Sequence, residues 1–89
     1  GKSVRVTFDQ SSSRNFTLMD VQTPDRPGLL YSITAVLADC EVEVGAARIT
    51  TEKGAALDTF YLCNADGKKL SDNALLRKIT KRLEKNLTE

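Results

Sequence analysis

Histidine and tryptophan are absent from this 89-residue chain, which also has only two cysteines, two prolines and one methionine. Without histidine, the chain lacks the side chain that most often acts as a general base near neutral pH, and no nucleophile–base pair stands out. Two cysteines without histidine argue against a structural zinc site, and no glycine-rich phosphate loop is present. We therefore predict that the chain is not an enzyme and that it holds neither a metal nor a cofactor.

Long apolar runs are also missing, so no segment approaches the length needed to span a membrane, and no signal-peptide pattern opens the chain. The net charge of +1 argues against electrostatic binding of nucleic acid. Cys40 and Cys63 lie far apart among core-like residues, which favours buried free thiols in a reducing compartment over a disulfide. We expect a cytoplasmic protein with no membrane or nucleic-acid partner.

The composition that is present is that of a folded domain, because 40% of the residues are apolar and 28% are charged. We predict that residues 1–89 form a single domain whose core extends from about residue 4 to about residue 87. The chain begins Gly1-Lys2-Ser3 without a methionine, so we expect a fragment or module of a longer protein.

Apolar periodicity predicts four strands, at residues 4–8, 16–23, 42–51 and 57–64, and two helices, at residues 27–39 and 73–86. The apolar parity of the third strand switches at Gly45, which predicts a β-bulge and therefore an edge strand. Residues 52–54 predict a tight hairpin, and Ser71 or Asp72 is expected to cap the last helix. The predicted buried stripe of the first helix contains Leu29, Leu30, Ile33, Val36, Leu37 and Cys40.

The order ββαββα predicts an α+β fold, a two-layer ferredoxin-like sandwich with a four-stranded antiparallel sheet and both helices on one face. A right-handed crossover through the first helix leaves room for one strand between the second and third strands. The fourth strand fills that gap, so the predicted order is first, second, fourth, third. The open face carries Leu18 and Tyr61, and this face and the bulged edge predict association with another copy or domain.

Residues 23–30 form the corner between the second strand and the first helix, and they contain both prolines. Pro27 suits the first helical position, which places Gly28 second, where its amide has no intrahelical partner. Such amides attract a carboxylate, while Asp25 supplies a negative charge nearby, so the corner suits a zwitterion such as a free amino acid. The alternative is structural: Asp25 complements the helix dipole, Pro27 stiffens the corner and Gly28 allows close packing.

The string Asp25-Arg26-Pro27-Gly28-Leu29-Leu30, with Ala47-Arg48-Ile49-Thr50-Thr51, Asp58-Thr59-Phe60-Tyr61-Leu62 and Asp66-Gly67-Lys68-Lys69, resembles the ACT domain. The similarity covers nearly the whole chain. It points to the subgroup found at the C-terminus of bacterial uridylyltransferase/uridylyl-removing enzymes and in plant ACT-repeat proteins. The usual ACT order is βαββαβ, so this chain, which leads with a strand and stops in a helix, has a circularly shifted order.

The resemblance implies a regulatory module in nitrogen or amino-acid metabolism that binds a free amino acid between two ACT units, in a homodimer or with another unit. It also implies an attached enzyme domain and, for a plant or algal source, the plastid stroma. Glutamine is the ligand suggested by the uridylyltransferase resemblance. Its carboxylate is expected at the amides of Gly28 and Leu29, and its ammonium at Asp25 or at strand carbonyls. The implied ligand-binding residues are Thr23, Asp25, Arg26, Pro27, Gly28, Leu29, Leu30 and Val44.

Two other functions stay open at this stage. A structural ACT module that dimerises or docks on an enzyme domain, without a ligand, would have the same sequence features. RNA-recognition domains share the architecture, but here Phe16 and Tyr61 lack the glycine-and-basic motif that accompanies stacking aromatics, so RNA binding ranks lower. A catalytic role for Asp58 is disfavoured, because we expect that residue at a turn or sheet edge.

Overall fold

The computed structural model describes residues 3–88, which form one open sheet covered on one face by two helices. All strand pairs are antiparallel. The elements in chain order are β1 (Arg5–Asp9), β2 (Thr17–Pro24), α1 (Leu29–Asp39), β3 (Glu43–Arg48), β4 (Thr51–Glu52), β5 (Ala55–Cys63) and α2 (Asn73–Thr88).

The α+β fold and the strand order are confirmed, because the sheet runs β1-β2-β5-β3 and β5 is the fourth long strand. Both β2 and β3 are antiparallel to β5, so they are parallel to each other, as the crossover through α1 requires. The difference from the prediction is a fifth, two-residue strand, β4, which pairs with the start of β5.

A single hydrophobic core lies between the sheet and the helices, and it contains alternate residues of β2 and β5. The helices contribute one stripe each, with Ile33 of α1 and Ile79 of α2 fully buried. Leu30 does not belong to this stripe, and its prediction as a buried residue is wrong. Its side chain is 46% exposed, whereas the neighbouring Leu29 in the same first turn of α1 is buried.

The bulge in β3 is confirmed, since its register with β5 shifts between Val44 and Ala46. Glycine at position 45 leaves space for the Phe16 ring, because a Cβ atom on this residue would lie 2.5 Å from the Cε1 atom of Phe16. The Phe16 ring in turn packs edge to face against Tyr61, with ring centroids 6.1 Å apart. β3 forms an edge of the sheet, and all six of its residues are exposed.

The prediction of one continuous third strand over residues 42–51 is wrong, because the chain leaves the β3 ladder after Arg48. At the break, the Thr50 N–H donates to the Asp58 carboxylate at 3.2 Å instead of pairing with a neighbouring strand. The Thr50 carbonyl accepts a hydrogen bond from the Leu57 N–H at 2.8 Å. β4 then follows and turns into β5 through Lys53 and Gly54, whose φ angles of 53° and 81° suit a tight two-residue hairpin.

The other connections are held by side chains. Thr17, fully buried, donates to the side-chain oxygen of Gln10 at 2.6 Å and accepts from the Leu70 N–H at 2.9 Å, which joins the β1–β2 hairpin to the segment before α2. Asp72 caps α2, as predicted, because its Oδ1 accepts the N–H of Ala74 at 2.9 Å. Between residues 3 and 88, neither helix combines the length and apolarity that crossing a membrane requires.

Candidate functional site

The corner after β2 contains a β-turn rather than the start of the helix. The Leu29 N–H donates to the Arg26 carbonyl at 3.2 Å, and Gly28 between them has φ 75° and ψ 8°. These angles, with Pro27 before the glycine, define a type II turn. The prediction that the helix begins at Pro27 is therefore wrong: Gly28 is the N-cap, and its left-handed conformation cannot continue a helix from Pro27.

The first turn of α1 presents backbone N–H groups that have no acceptor. No side chain caps the helix, and its first turn contains no acidic residue. Ser32 donates to the Gly28 carbonyl, but within residues 3–88 the N–H groups of Leu30 and Tyr31 donate to nothing. The N–H of Leu29, which we expected to be available, is used by the turn. The Gly28 N–H, the other amide that we expected to be available, donates to nothing within residues 3–88. Amides without an acceptor therefore lie at residues 28, 30 and 31, and such groups at a helix N-terminus suit an anion.

These amides lie at a pocket of about 270 Å³ between the turn, α1, the β3–β4 connection and β5, which we call the corner pocket. Three of its residues are large apolar side chains with much of their surface in solvent: Leu30, Tyr31 at 77% exposure and Ile49 at 50%. The lining residues are Asp25, Arg26, Gly28, Leu29, Leu30, Tyr31, Ile49, Thr51, Ala56 and Asp58.

The structure brings five of the eight predicted ligand-binding residues to the corner pocket, namely Asp25, Arg26, Gly28, Leu29 and Leu30. It does not bring the other three there. Thr23 is buried opposite Ala56 in the sheet, and Pro27 is exposed in the turn but does not line the pocket. Val44 lies beyond the bulge, opposite Leu62 and therefore away from the start of β5 where the pocket forms.

Asp58 lines the corner pocket, although the sequence did not predict it among the ligand-binding residues. It lies within β5 with 2% of its surface exposed, so its expected place at a turn or edge is wrong. The strand pattern could have indicated this burial. Asp58 lies an even number of positions from Phe60 and Leu62, so its carboxylate is on the core side of an apolar strand. Burial raises the pKa of Asp58 above its ordinary 3.8, the Thr50 N–H opposes that rise, and the charge of Asp25 adds to it.

We expect Asp58→Asn to raise the free energy of unfolding at about pH 7, because asparagine keeps an oxygen for the Thr50 N–H and removes a buried charge. A carboxyl whose pKa is raised by folding stabilises the fold fully below its unfolded pKa, and that contribution is lost as the pH rises through the folded value. The advantage of the variant should therefore vanish in acid. Urea unfolding from about pH 3 to pH 8 measures it, and an equal advantage for exposed Asp20→Asn would contradict this account.

Arg26 connects the turn to the last helix, because its Nη2 donates to the Asn86 carbonyl at 3.0 Å. A guanidinium at the C-terminal end of a helix also complements the helix dipole. The turn is anchored on the other side by the Asp25 N–H, which donates to the Gly54 carbonyl at 2.8 Å. Nowhere in residues 3–88 do three or more His, Cys, Asp or Glu side chains gather in a way that could hold a metal ion.

The two-layer α+β sandwich of the chain is consistent with the ferredoxin-like fold of ACT domains. A family model described as an ACR9-like, ACT-like domain matches residues 5–89 of the sequence. The chain therefore belongs to the ACT-like domain family, and it is a regulatory domain of that type.

Relatives of the chain are named bifunctional uridylyltransferase/uridylyl-removing enzymes. One from Rhodospirillum rubrum is 34% identical over 85 residues, which is 96% of this chain and 9% of the enzyme. Another from Ruegeria pomeroyi is 37% identical over 84 residues, or 94% of this chain and 9% of the enzyme. The chain thus spans about a tenth of the length of these relatives, and it is similar to one small region of each.

Proposed function

We propose that this domain binds a free amino acid in the corner pocket and regulates an enzyme domain to which it is attached. The observation that carries the proposal is the meeting of opposite polarities in one pocket of about 270 Å³. The unpaired N–H groups of Leu30 and Tyr31 suit a carboxylate, and the carboxylates of Asp25 and Asp58 suit an ammonium. The relatives, which are large enzymes by name, support attachment to an enzyme.

A second ACT unit, either another copy of this chain or a different one, completes the pocket in this proposal. The exposed apolar side chains at the pocket, those of Leu30, Tyr31 and Ile49, support this because a partner surface would cover them. The fully exposed edge strand β3 beside them offers unpaired backbone groups for such a contact. Two buried free thiols, Cys40 and Cys63, support a reducing compartment, so we place the domain in the cytoplasm or plastid stroma.

Calorimetric titration of the chain with each of the twenty amino acids, glutamine first, tests the proposal. We expect one or a few of them to bind, and light scattering should show the oligomeric state in which binding occurs. If the chain forms a dimer and none of the amino acids binds to it, the sensor function is wrong. The alternative favoured by the exposed edge of β3, a structural module that only dimerises or docks, would then hold.

A further inference from the structure

The carboxylate of Asp58 accepts one hydrogen bond within residues 3–88, on one of its two oxygens. Its Oδ1 accepts the Thr50 N–H at 3.2 Å, which holds the chain at the break between β3 and β4. Its Oδ2 accepts no hydrogen bond from residues 3–88. Every fully buried side-chain oxygen or nitrogen in that range has a partner, so Oδ2 keeps some contact with solvent although the residue is only 2% exposed. The residue lines the corner pocket, so the unused oxygen is available to a molecule that enters it.

Four residues with charged or titratable side chains line the corner pocket. The turn contributes Asp25 and Arg26, α1 contributes Tyr31, and β5 contributes Asp58, while the β3–β4 connection contributes only uncharged side chains. The Arg26 guanidinium donates to the Asn86 carbonyl at the end of α2. No lysine of residues 3–88 lines this pocket, so no ammonium of the protein itself lies there as a partner for Asp58.

We propose that Asp58 is the specificity-determining residue of the pocket, and that it receives the α-ammonium group of the amino acid whose carboxylate meets the N–H groups of Leu30 and Tyr31. This inference rests on the proposed function and adds a ligand class to it. The ligand must carry a free ammonium beside its carboxylate, so N-acetylated amino acids and the corresponding hydroxy acids are excluded.

Asp25 is the weaker partner for the ammonium, although it is the residue that the sequence suggested. Its side chain is exposed, and ion pairs in water contribute little because solvent screens them. A charge pair at the buried Asp58 forms in a less polar environment, where removal of one partner is far more damaging. Burial disfavours the charge of Asp58, so a bound ammonium offsets that desolvation as well as binding to the carboxylate.

Calorimetry with the tightest-binding amino acid of the panel, on the chain and on its Asp58→Asn and Asp20→Asn variants, tests this role. Asp58→Asn should weaken binding by about tenfold or more, as expected when a charged hydrogen-bond partner is removed. Asp20→Asn is the matched control, because Asp20 accepts the Thr59 hydroxyl at 2.6 Å on the opposite face of the sheet. It should bind like the unmodified chain, and the N-acetyl derivative of the same amino acid should not bind detectably.

A second readout separates ligand contact from a merely structural role. Carbon-13 NMR of the Asp58 side-chain carboxyl should show its pKa falling when the amino acid is added, because a bound ammonium favours the charged form. Affinity should accordingly increase as the pH rises through the pKa of the free protein.

The possible results separate the two proposals. If the unmodified chain binds an amino acid and Asp58→Asn binds it equally well, or if the N-acetyl derivative competes, the role of Asp58 is wrong while the sensor function stands. An Asp58 pKa that stays unchanged when the amino acid is added would likewise contradict the role of Asp58 and leave the sensor function standing. If the chain forms a dimer and that dimer binds no amino acid, both the sensor function and the role of Asp58 are overturned.

Discussion

Gly28→Val should weaken amino-acid binding about a hundredfold, equivalent to losing two hydrogen bonds to a charged group at about 1.5 kcal/mol each. Gly28 has a φ of 75°, a conformation that a β-branched residue adopts only with strain of about 1–2 kcal/mol. Relief of that strain rotates the turn and displaces the first N–H groups of α1. An added Cβ meets no atom within 4 Å, so the side chain itself enters the open space at the pocket.

Gly67→Val is the matched control for this result. Gly67 has a φ of 76° and also has nothing within 4 Å of an added Cβ, but it lies in the turn that follows the other end of β5. Both variants should lose about 1–2 kcal/mol of unfolding free energy in urea. Only Gly28→Val should lose binding in calorimetry. Equal binding by the two variants would show that the turn is not part of the ligand site.

Gly45→Ala should lower the free energy of unfolding by about 1–3 kcal/mol, the usual cost of an overpacked contact. The new methyl group would lie 2.5 Å from Cε1 and 2.7 Å from Cζ of Phe16, so the ring must move. Movement of the ring breaks its edge-to-face contact with Tyr61. Because Gly45 forms the bulge, the alternative adjustment is a shift of β3 against β5, which also weakens the sheet edge.

A double-mutant cycle with Phe16→Leu identifies the cause. Phe16→Leu alone should cost about 0.5–1.5 kcal/mol through loss of the contact with Tyr61. In that background the Cε1 and Cζ atoms are gone, so Gly45→Ala should be nearly neutral or slightly stabilising, as alanine restricts the unfolded chain. Additive effects of the two substitutions would mean that backbone conformation at residue 45, and not the ring, requires glycine.

The fold was readable from the sequence because each of its determinants is local. Apolar alternation locates the long strands, the parity switch at Gly45 locates the bulge, and the handedness of the crossover through α1 leaves one position for β5. The start of α1 was predicted wrongly, because proline fits both the first position of a helix and the second position of a β-turn. The pair Pro27-Gly28 favours the turn, since the glycine takes a positive φ.

The candidate site was predicted only where its residues are neighbours in sequence. The turn residues Asp25 and Gly28 meet at the pocket because the chain itself joins them. Ile49 and Asp58 reach the same pocket through strand register and through the break after β3, which no single segment encodes. Val44 was expected at the site on the assumption of a particular pairing between units, and it lies outside the corner pocket of the single chain.

The contact between Arg26 and the Asn86 carbonyl spans 60 positions of sequence and joins the turn to the final turn of α2. A reorientation of residues 25–28 that moves the Arg26 guanidinium stretches this hydrogen bond or draws the end of α2 along with it. The hydrogen bond therefore links the corner to the last turn of α2, so a change in the turn is felt at the C-terminal end of the helix.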